Sequence, residues 1–151
     1  MPVLGPEHAQ ELAGVLDDPA LHTFIGGAPQ SARALRARYA RLAAGSPDPA
    51  VVWGNWALRL RAGGRLVGTV QATVAADRAY AEVAWVVGSP WQRRGVASEA
   101  ARGLTDWLRG LPVGRILAHV HPEHAASGAV AAACGLHPTR HRQDGEVRWE
   151  S

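Results

Sequence analysis

The sequence predicts one α/β domain built on a mixed β-sheet, and three observations support this fold class. Hydrophobic spacing along the 151 residues gives the element order α-α-β-β-β-α-β-α-β-β. Short turns join the first three strands, which favours antiparallel pairing, whereas helices join later strands, which favours parallel neighbours. No linker, repeat or low-complexity segment interrupts the pattern. We therefore expect a single domain over residues 1–151, with a mixed twisted sheet, an antiparallel N-terminal part and about four flanking helices.

Two amphipathic helices are predicted first. Residues 6–17 begin with a proline suited to a first helical turn and carry apolar residues at helical spacing. Asp18-Pro19 ends this helix. Residues 31–44 repeat the pattern, with Ser31 as the candidate N-cap. The glycine and prolines of residues 45–49 then predict a loop.

Three strands are predicted next. Residues 56–61 alternate apolar and polar side chains, which is typical of a half-exposed antiparallel strand. Gly63-Gly64 predicts a hairpin turn, and residues 66–74 form the return strand. A third strand over residues 79–87 is apolar apart from Glu82.

The C-terminal half returns to helical spacing and ends in a hairpin. Residues 96–109 form a helix whose apolar face is expected to include Trp107. A strand over residues 115–121 and an alanine-rich helix over residues 123–134 follow. Asp144-Gly145 lies between two short runs and predicts a tight turn.

The composition excludes several classes of protein. Hydrophobic residues make up 47% and charged residues 19% of the chain, which is typical of a globular protein. No apolar run approaches the roughly 18–20 residues of a membrane helix, and the N-terminus lacks the pattern of a secretory signal. The single cysteine rules out an intrachain disulfide. We expect a cytoplasmic protein without membrane association.

The basic residues are all arginine. Formal net charge is +3, and the pI is near 10.0. The arginines are scattered and are not interleaved with aromatic residues, so the pattern does not indicate a nucleic-acid interface. A basic surface also suits a polyanionic cofactor. We expect no nucleic-acid partner.

A run of small and basic residues at 88–97 separates the third strand from the following helix. The first turn of a helix leaves main-chain N–H groups unpaired and carries partial positive charge, which favours an anion. Gly95 and Ala97 would let a phosphate approach the backbone, and Arg93 and Arg94 would add positive charge. Small residues also occur where a loop simply packs a helix against a sheet. The competing phosphate motifs, GxxxxGK and GxGxxG, are absent from the sequence.

Two motifs in this half resemble those of the GNAT superfamily of N-acetyltransferases. The first, Gln92-Arg93-Arg94-Gly95-Val96-Ala97, resembles the family's Gln/Arg-x-x-Gly-x-Gly/Ala motif and follows a glutamate-bearing strand and a Val-x-x-Pro step. The second comprises residues 124–130 and Gly135-Leu136, and resembles Asn-x-x-Ser-x-x-Val followed by Gly-Phe. The resemblance covers nearly the whole chain. It is greatest to the branch that includes acetyltransferases of ribosomal-protein N-termini.

The resemblance implies a splayed parallel strand pair and a reaction that moves acetyl from acetyl-CoA, as co-substrate, to a primary amine. Main-chain groups of Val86 and Val87 would pair with the pantetheine arm, and Ser98 would add a hydroxyl contact. His124 stands where the family has an asparagine that contacts the pantetheine. The pyrophosphate would rest on main-chain amides of six consecutive residues: Gln92, Arg93, Arg94, Gly95, Val96 and Ala97.

Acetylation of an amine needs a base, because most of the amine is protonated at pH 7. Glu82 is the candidate base, acting directly or through water; its alternative role is an ion pair with an arginine. Ser127 matches the serine of the ribosomal branch and would donate a proton to the thiolate or contact the pantetheine; a bond to its own helix backbone is the alternative. The tyrosine that many relatives use is replaced by Ala131. Cys134 is expected to be buried, so we predict direct attack by the amine without an acetyl-enzyme.

Three histidines near the second motif form a possible cluster. His119, His121 and His124 include a His-x-His spacing, and histidine is a common metal ligand. No carboxylate or cysteine accompanies them at a matching spacing. We therefore expect no metal, and the role of the cluster stays open.

The acceptor is not identified by the sequence. A protein N-terminus and a small amine both suit the reaction, and Phe24, Tyr39 and Trp56 are candidate acceptor contacts that could equally be core residues. A catalytically impaired acyl-CoA-binding regulatory module is the alternative function. Exposed edge strands make a homodimer possible.

Overall fold

Six strands form one sheet in the computed structural model, which describes residues 1–25 and 27–151 without the side chains of Phe24 and Ile25. The strands are β1 (Val51–Arg59), β2 (Leu66–Ala75), β3 (Ala81–Val87), β4 (Ile116–Val120), β5 (His137–Gln143) and β6 (Glu146–Glu150). Their order across the sheet is β1-β2-β3-β4-β6-β5. The pairs β1/β2 and β2/β3 are antiparallel, and β3/β4 is parallel. The predicted mixed sheet is confirmed.

The helices of the described residues follow the predicted order. They are α1 (Ala9–Val15), α2 (His22–Ile25), α3 (Ala32–Ala43), α4 (Val96–Arg109) and α5 (Ala125–Ala133). Only the four-residue α2 is additional to the four predicted from the sequence. Ser31 caps α3 as expected, because its Oγ accepts a hydrogen bond from the Ala34 N–H at 3.1 Å. Within the described part of the chain, no helix has the length and apolarity needed to cross a bilayer.

The sheet is covered on both faces, so the predicted half-exposure of the first strand holds at Arg59 and Arg61 but not at Ala57. Helices α4 and α5 pack on one face around Val70, Leu104 and Leu108. On the other face, α1 and α3 cover β1, so that Ala57 is 0% exposed beside Leu12. The alternation of residues 56–61 indicates a strand correctly. The same alternation does not predict the burial of Ala57, because alanine occurs both in the core and on the surface and a covering helix cannot be inferred from it.

Trp107 corrects a second expectation, because it is 53% exposed rather than buried. Its position is three residues after Leu104 and one before Leu108, which places it at the margin of the buried stripe of α4. There its ring meets the edge of Trp56 on β1, with centroids 5.8 Å apart and planes at 75°. This T-shaped pair closes the outer border of the core.

The C-terminal hairpin enters the sheet in an unexpected place. We expected parallel neighbours wherever a helix joins two strands, yet β6 lies between β4 and β5 and runs antiparallel to both. The side chains explain this order. β6 carries Val147 and Trp149, which can be buried, whereas β5 is polar and mostly exposed and contains Pro138, which suits an edge. Asp144 and Gly145, with φ of 50° and 80°, form the predicted tight turn.

The parallel strands β3 and β4 are paired only at their beginning. Ala81 lies opposite Ile116 and Glu82 opposite Leu117, and no further pairs are formed between these strands. Beyond Glu82, β3 continues along β2 while β4 continues along β6. The implied splayed parallel pair is therefore present, and it opens a gap in the middle of the sheet.

Candidate functional site

A cavity of about 500 Å³ lies on the α1/α3 face of the sheet, at the opening between β3 and β4. Its walls come from the N-terminal helices, the central strands and the start of α5. The strands contribute a group of polar side chains to it: Asn55, Thr69, Gln71, Glu82 and His119. Polar groups in the middle of a sheet are costly unless they are paired, so their clustering identifies a candidate functional site.

Glu82, His119 and Arg148 form a row of hydrogen-bonded side chains, of which Glu82 and His119 line the cavity. His119 Nδ1 lies 2.7 Å from Glu82 Oε1, and the Arg148 Nε–H donates to His119 Nε2 at 3.3 Å. A guanidinium only donates, so Nε2 is the acceptor and the proton of a neutral ring lies on Nδ1. His119 therefore donates to the Glu82 carboxylate.

The hydrogen-bonded side chains of His119 and Glu82 differ in exposure. The His119 side chain is 8% exposed, whereas that of Glu82 is 40% exposed. Among the described residues, Glu82 Oε2 has no hydrogen-bond partner. One carboxylate oxygen is thus held by a buried donor, and the other is available to a molecule in the cavity.

The register of β3 decides which main-chain groups border the gap. The Gly88 N–H donates to Val67 O at 2.8 Å, and in this register the main chain of Val86 pairs with Thr69 of β2. The groups of Trp85 and Val87 therefore face the gap. The Val87 carbonyl already accepts a hydrogen bond from Gln92 Nε2 at 3.0 Å.

The turn before α4 has the backbone geometry of an anion site. Arg93 and Gly95 have left-handed φ angles of 62° and 78°, a conformation that turns successive N–H groups into a concave surface. The first intrahelical bond runs from the Glu99 N–H to Gly95 O, so the N–H groups of residues 96–98 have no helical partner. A Cβ on Gly95 would meet nothing within 4 Å. The space in front of this turn is open to a ligand.

Charge reinforces the turn. Arg93 and Arg94 are exposed, and neither forms a salt bridge within the described residues. Gln92 behaves differently, because its N–H donates to Ser89 O at 3.2 Å. Gln92 therefore braces the turn, and its main-chain donor is already used.

The start of α5 forms another wall of the cavity. Ser127 Oγ lies 3.4 Å from His124 Nε2, and the His124 N–H donates to His121 O at 2.9 Å. Burial, reinforced by the charge of nearby His121, lowers the pKa of His124 below its ordinary 6.5. The imidazole of His124 is therefore neutral at pH 7.

Comparison with known families agrees with this geometry. The acetyltransferase (GNAT) domain family matches residues 2–137, which is most of the chain. The chain belongs to the GNAT family. Its opened parallel pair, glycine turn and cavity are thus features of a GNAT acetyltransferase domain.

Several solved structures share the fold over nearly the whole chain. The ribosomal-protein-S5-alanine acetyltransferase from Vibrio fischeri is 15% identical with a TM-score of 0.76, covering 99% of this chain and 90% of that chain. The GNAT domain of S. lividans PAT is 22% identical with a TM-score of 0.73, covering 99% and 87%. An aminoglycoside acetyltransferase, AAC(6')-Ib, in complex with coenzyme A is 14% identical with a TM-score of 0.75, covering 99% and 91%. At these identities the similarity establishes the fold.

A curated relative matches a shorter part of the chain. An acylphosphatase from Anaeromyxobacter dehalogenans (strain 2CP-C) is 44% identical over 59 residues. The aligned part is 38% of this chain and 63% of that protein, so the chain spans less than two thirds of that relative. This match assigns no family.

The structure brings some of the expected site residues together and separates others. Glu82, Ser127 and Tyr39 line the same cavity. Tyr39 is 4% exposed, and burial raises its pKa, so it is mainly a core residue at the cavity border. Trp56 does not line the cavity; it packs on the α4 face against Trp107, because its register position points it to the other side of the sheet. The side chain of Phe24 lies outside the described residues.

Arg148 is the site residue that the sequence did not reveal. His119 was considered only as part of a histidine cluster, yet it pairs with Glu82. Among the described residues, no group of three or more histidine, cysteine or acidic side chains has the arrangement of a metal site. The signal available in the sequence is the period of two along β4, which places His119 on the same face as Leu117. Arg148 could not be added without knowing that β6 pairs with β4.

Cys134 and Ala131 lie in the core rather than in the cavity. Cys134 is 2% exposed, and burial is the main cause that raises the pKa of its thiol. Ala131 is 0% exposed among residues of α4 and α5. Neither side chain can reach a molecule in the cavity.

The lowered pKa of His124 is testable by an NMR titration. The midpoint of His124 should lie below 6.5, and His121→Gln should move it upward because a nearby positive charge is removed. The unfolded chain then takes up this proton at higher pH than the folded chain. The His124 contribution to stability is therefore complete above pH 6.5 and is lost as pH falls towards the lowered pKa. An unchanged midpoint in His121→Gln would exclude the electrostatic cause.

Proposed function

We propose that this GNAT domain transfers an acetyl group from acetyl-CoA to a primary amine by direct attack. The observation that carries the proposal is the Glu82 carboxylate, which is held at Oε1 and open at Oε2 in a cavity beside the split of the sheet. A carboxylate so placed can take a proton from an amine that has entered the cavity. Family membership supports an acyl-CoA donor.

The residues of the glycine turn fit the diphosphate of acetyl-CoA. The unpaired N–H groups of α4 and the left-handed Gly95 supply donors, and Arg93 and Arg94 supply charge. We retain residues 93–97 as the pyrophosphate contacts and Ser98 as an added hydroxyl contact, and we assign Gln92 to bracing the turn. For the pantetheine arm, the register favours main-chain groups of Trp85 and Val87 over those of Val86.

The reaction conserves protons and electron pairs without further reactants. Glu82, directly or through a water, accepts one proton from the ammonium form of the acceptor. The freed nitrogen lone pair forms a bond to the thioester carbon, and the C–S bond breaks with its electron pair on sulfur. The attacking nitrogen, now positively charged, loses its second proton, and the thiolate takes up a proton for which Ser127 is the proposed donor. Ser127 recovers its proton from that nitrogen and Glu82 releases its own to solvent, so the products are the amide, the thiol and one proton. The burial of Cys134 supports direct attack, because no other thiol exists to form an acetyl-enzyme.

The acceptor class remains a protein N-terminus or a small amine. Structural neighbours include a ribosomal-protein-S5-alanine acetyltransferase and an aminoglycoside acetyltransferase, which favours testing both classes. The buried Ala131 lacks the phenol of many relatives, and this favours the second candidate, a regulatory module that binds acyl-CoA without turnover. A cytoplasmic location, a homodimer and the absence of nucleic-acid binding stay predictions from the sequence.

Glu82→Gln tests the base. Thiol release from acetyl-CoA is followed with an alanine-initiated peptide, spermidine and paromomycin as acceptors. We expect kcat/KM to fall about 10²–10⁴-fold, the usual contribution of a general base, because the amide cannot take a proton. Cys134→Ala is the control and should keep wild-type turnover. Binding of CoA without turnover by the wild-type chain would favour the regulatory module.

Ser127→Ala separates the two roles proposed for the hydroxyl. Loss of a proton donor should lower kcat about 10²-fold while KM for acetyl-CoA stays nearly constant. The opposite pattern, a raised KM with an unchanged kcat, would assign Ser127 to pantetheine binding alone. The measurement is a full kinetic analysis at varied acetyl-CoA.

Gly95→Ala tests the anion turn, with Gly103→Ala in the same helix as its control. At Gly95 a methyl group should raise the Kd of CoA about tenfold or more, because it enters the open cradle and strains a left-handed residue by about 1–2 kcal/mol. Gly103 is exposed within α4 with no atom near its Cβ position. Its substitution should leave Kd unchanged and stabilise the helix by about 1 kcal/mol. Calorimetric titration with CoA measures the Kd of each variant. Equal Kd values for Gly95→Ala and the wild-type chain would show that the diphosphate does not bind at this turn.

A further inference from the structure

We infer that His119 is a positioning residue, which orients Glu82 for proton transfer while Arg148 fixes the histidine tautomer. The inference rests on the proposed function, because it presumes that Glu82 is the base. It adds two residues that neither motif contains, one on β4 and one on β6. Their assignment depends on two contacts across neighbouring strands and on the strand register.

The first contact is the hydrogen bond between His119 and Glu82. Its length of 2.7 Å is typical of a donor paired with an ionised carboxylate. A glutamate side chain has three rotatable bonds, so an unrestrained Glu82 would sample many orientations at 40% exposure. The bond to Oε1 selects one of them and leaves Oε2 for the substrate.

The second contact gives that bond its direction. His119 could present either ring nitrogen as donor, and only the Nδ1–H tautomer donates to Glu82. Arg148 Nε donates to Nε2 at 3.3 Å, and its guanidinium never acts as an acceptor. The tautomer with the proton on Nε2 would place two donors against each other. Arg148 therefore selects the useful tautomer.

The strand register makes the arrangement rigid. His119 lies directly opposite Arg148 in the antiparallel pair β4/β6. Glu82 lies opposite Leu117 in the last pair before β3 and β4 separate. His119 is two residues further along β4 on the same face, so its ring reaches back to Glu82. At 8% exposure, the ring has little freedom to leave this position.

Substitutions of His119 separate positioning from a purely structural effect. His119→Ala removes the donor, whereas His119→Asn keeps an N–H donor bonded to Cγ, as Nδ1 is. With the best acceptor among the alanine-initiated peptide, spermidine and paromomycin, we expect His119→Ala to lower kcat about 10- to 100-fold, because the base loses its orientation. KM for acetyl-CoA should change less than about threefold, since His119 is not part of the turn proposed to bind the diphosphate. His119→Asn should recover most of the lost kcat.

A double variant tests whether His119 acts through Glu82. In the Glu82→Gln background the base is already lost, so adding His119→Ala should cause little further decrease in kcat. Multiplied losses would instead show an independent role for the histidine and would overturn the inference.

The tautomer is measured without turnover by ¹⁵N NMR of the histidine rings. The wild-type chain should show His119 with the proton on Nδ1, and Arg148→Met should shift the population towards Nε2–H. A wild-type ring protonated on Nε2 alone would overturn the inference. If Glu82→Gln keeps full kcat, the proposed base and this inference both fail. If Glu82→Gln is impaired but His119→Ala is not, the inference fails and the proposed function stands.

Discussion

The separation of β3 from β4 after their second residue pair is the constraint on which the site depends. Two adjacent parallel strands that remained paired would bury their main-chain groups and leave no space between them. Beyond Glu82, β3 continues along β2 and β4 continues along β6, so this edge of β3 has no paired strand and the cavity lies beside it. The last paired residue of β3 is thus the carboxylate at the mouth of the gap. The topology of the sheet thus places a charged residue in a cavity that solvent can reach.

A charged group at this place needs partners, and the sheet supplies them from its C-terminal half. Burying His119 without hydrogen bonds would be costly, but both of its ring nitrogens are satisfied. Glu82 and Arg148 carry opposite charges, and the ring of His119 lies between them. Opposite charges linked through one hydrogen-bonded ring restrict the geometry of the carboxylate. The polar chain is therefore compatible with the apolar core on the other face of the sheet.

The parts of the fold set by local chemistry could be predicted, and those set by tertiary pairing could not. The Ser31 cap and the turn at Asp144-Gly145 depend on nearby residues and were predicted correctly. The position of β6 beside β4 depends on which strand, β5 or β6, packs better there, and this is decided only when the sheet assembles. For this reason Glu82 was found as a lone charge in an apolar strand, while its link to Arg148 was not. The same limit explains Trp56, whose aromatic character was evident but whose face of the sheet was not.

Gln92 links the glycine turn to the end of β3 through two hydrogen bonds. Its N–H donates to Ser89 and its side chain donates to Val87. Val87 is five residues after Glu82, a separation of about 17 Å along an extended strand. One strand therefore carries the carboxylate near its beginning and the brace of the turn at its end. Because the strand is bonded to β2 throughout, the distance between the two chemical centres is fixed by the sheet rather than by a flexible loop. A sequence motif does not distinguish a residue that braces a turn from one that contacts a ligand. The hydrogen bonds of Gln92 indicate bracing.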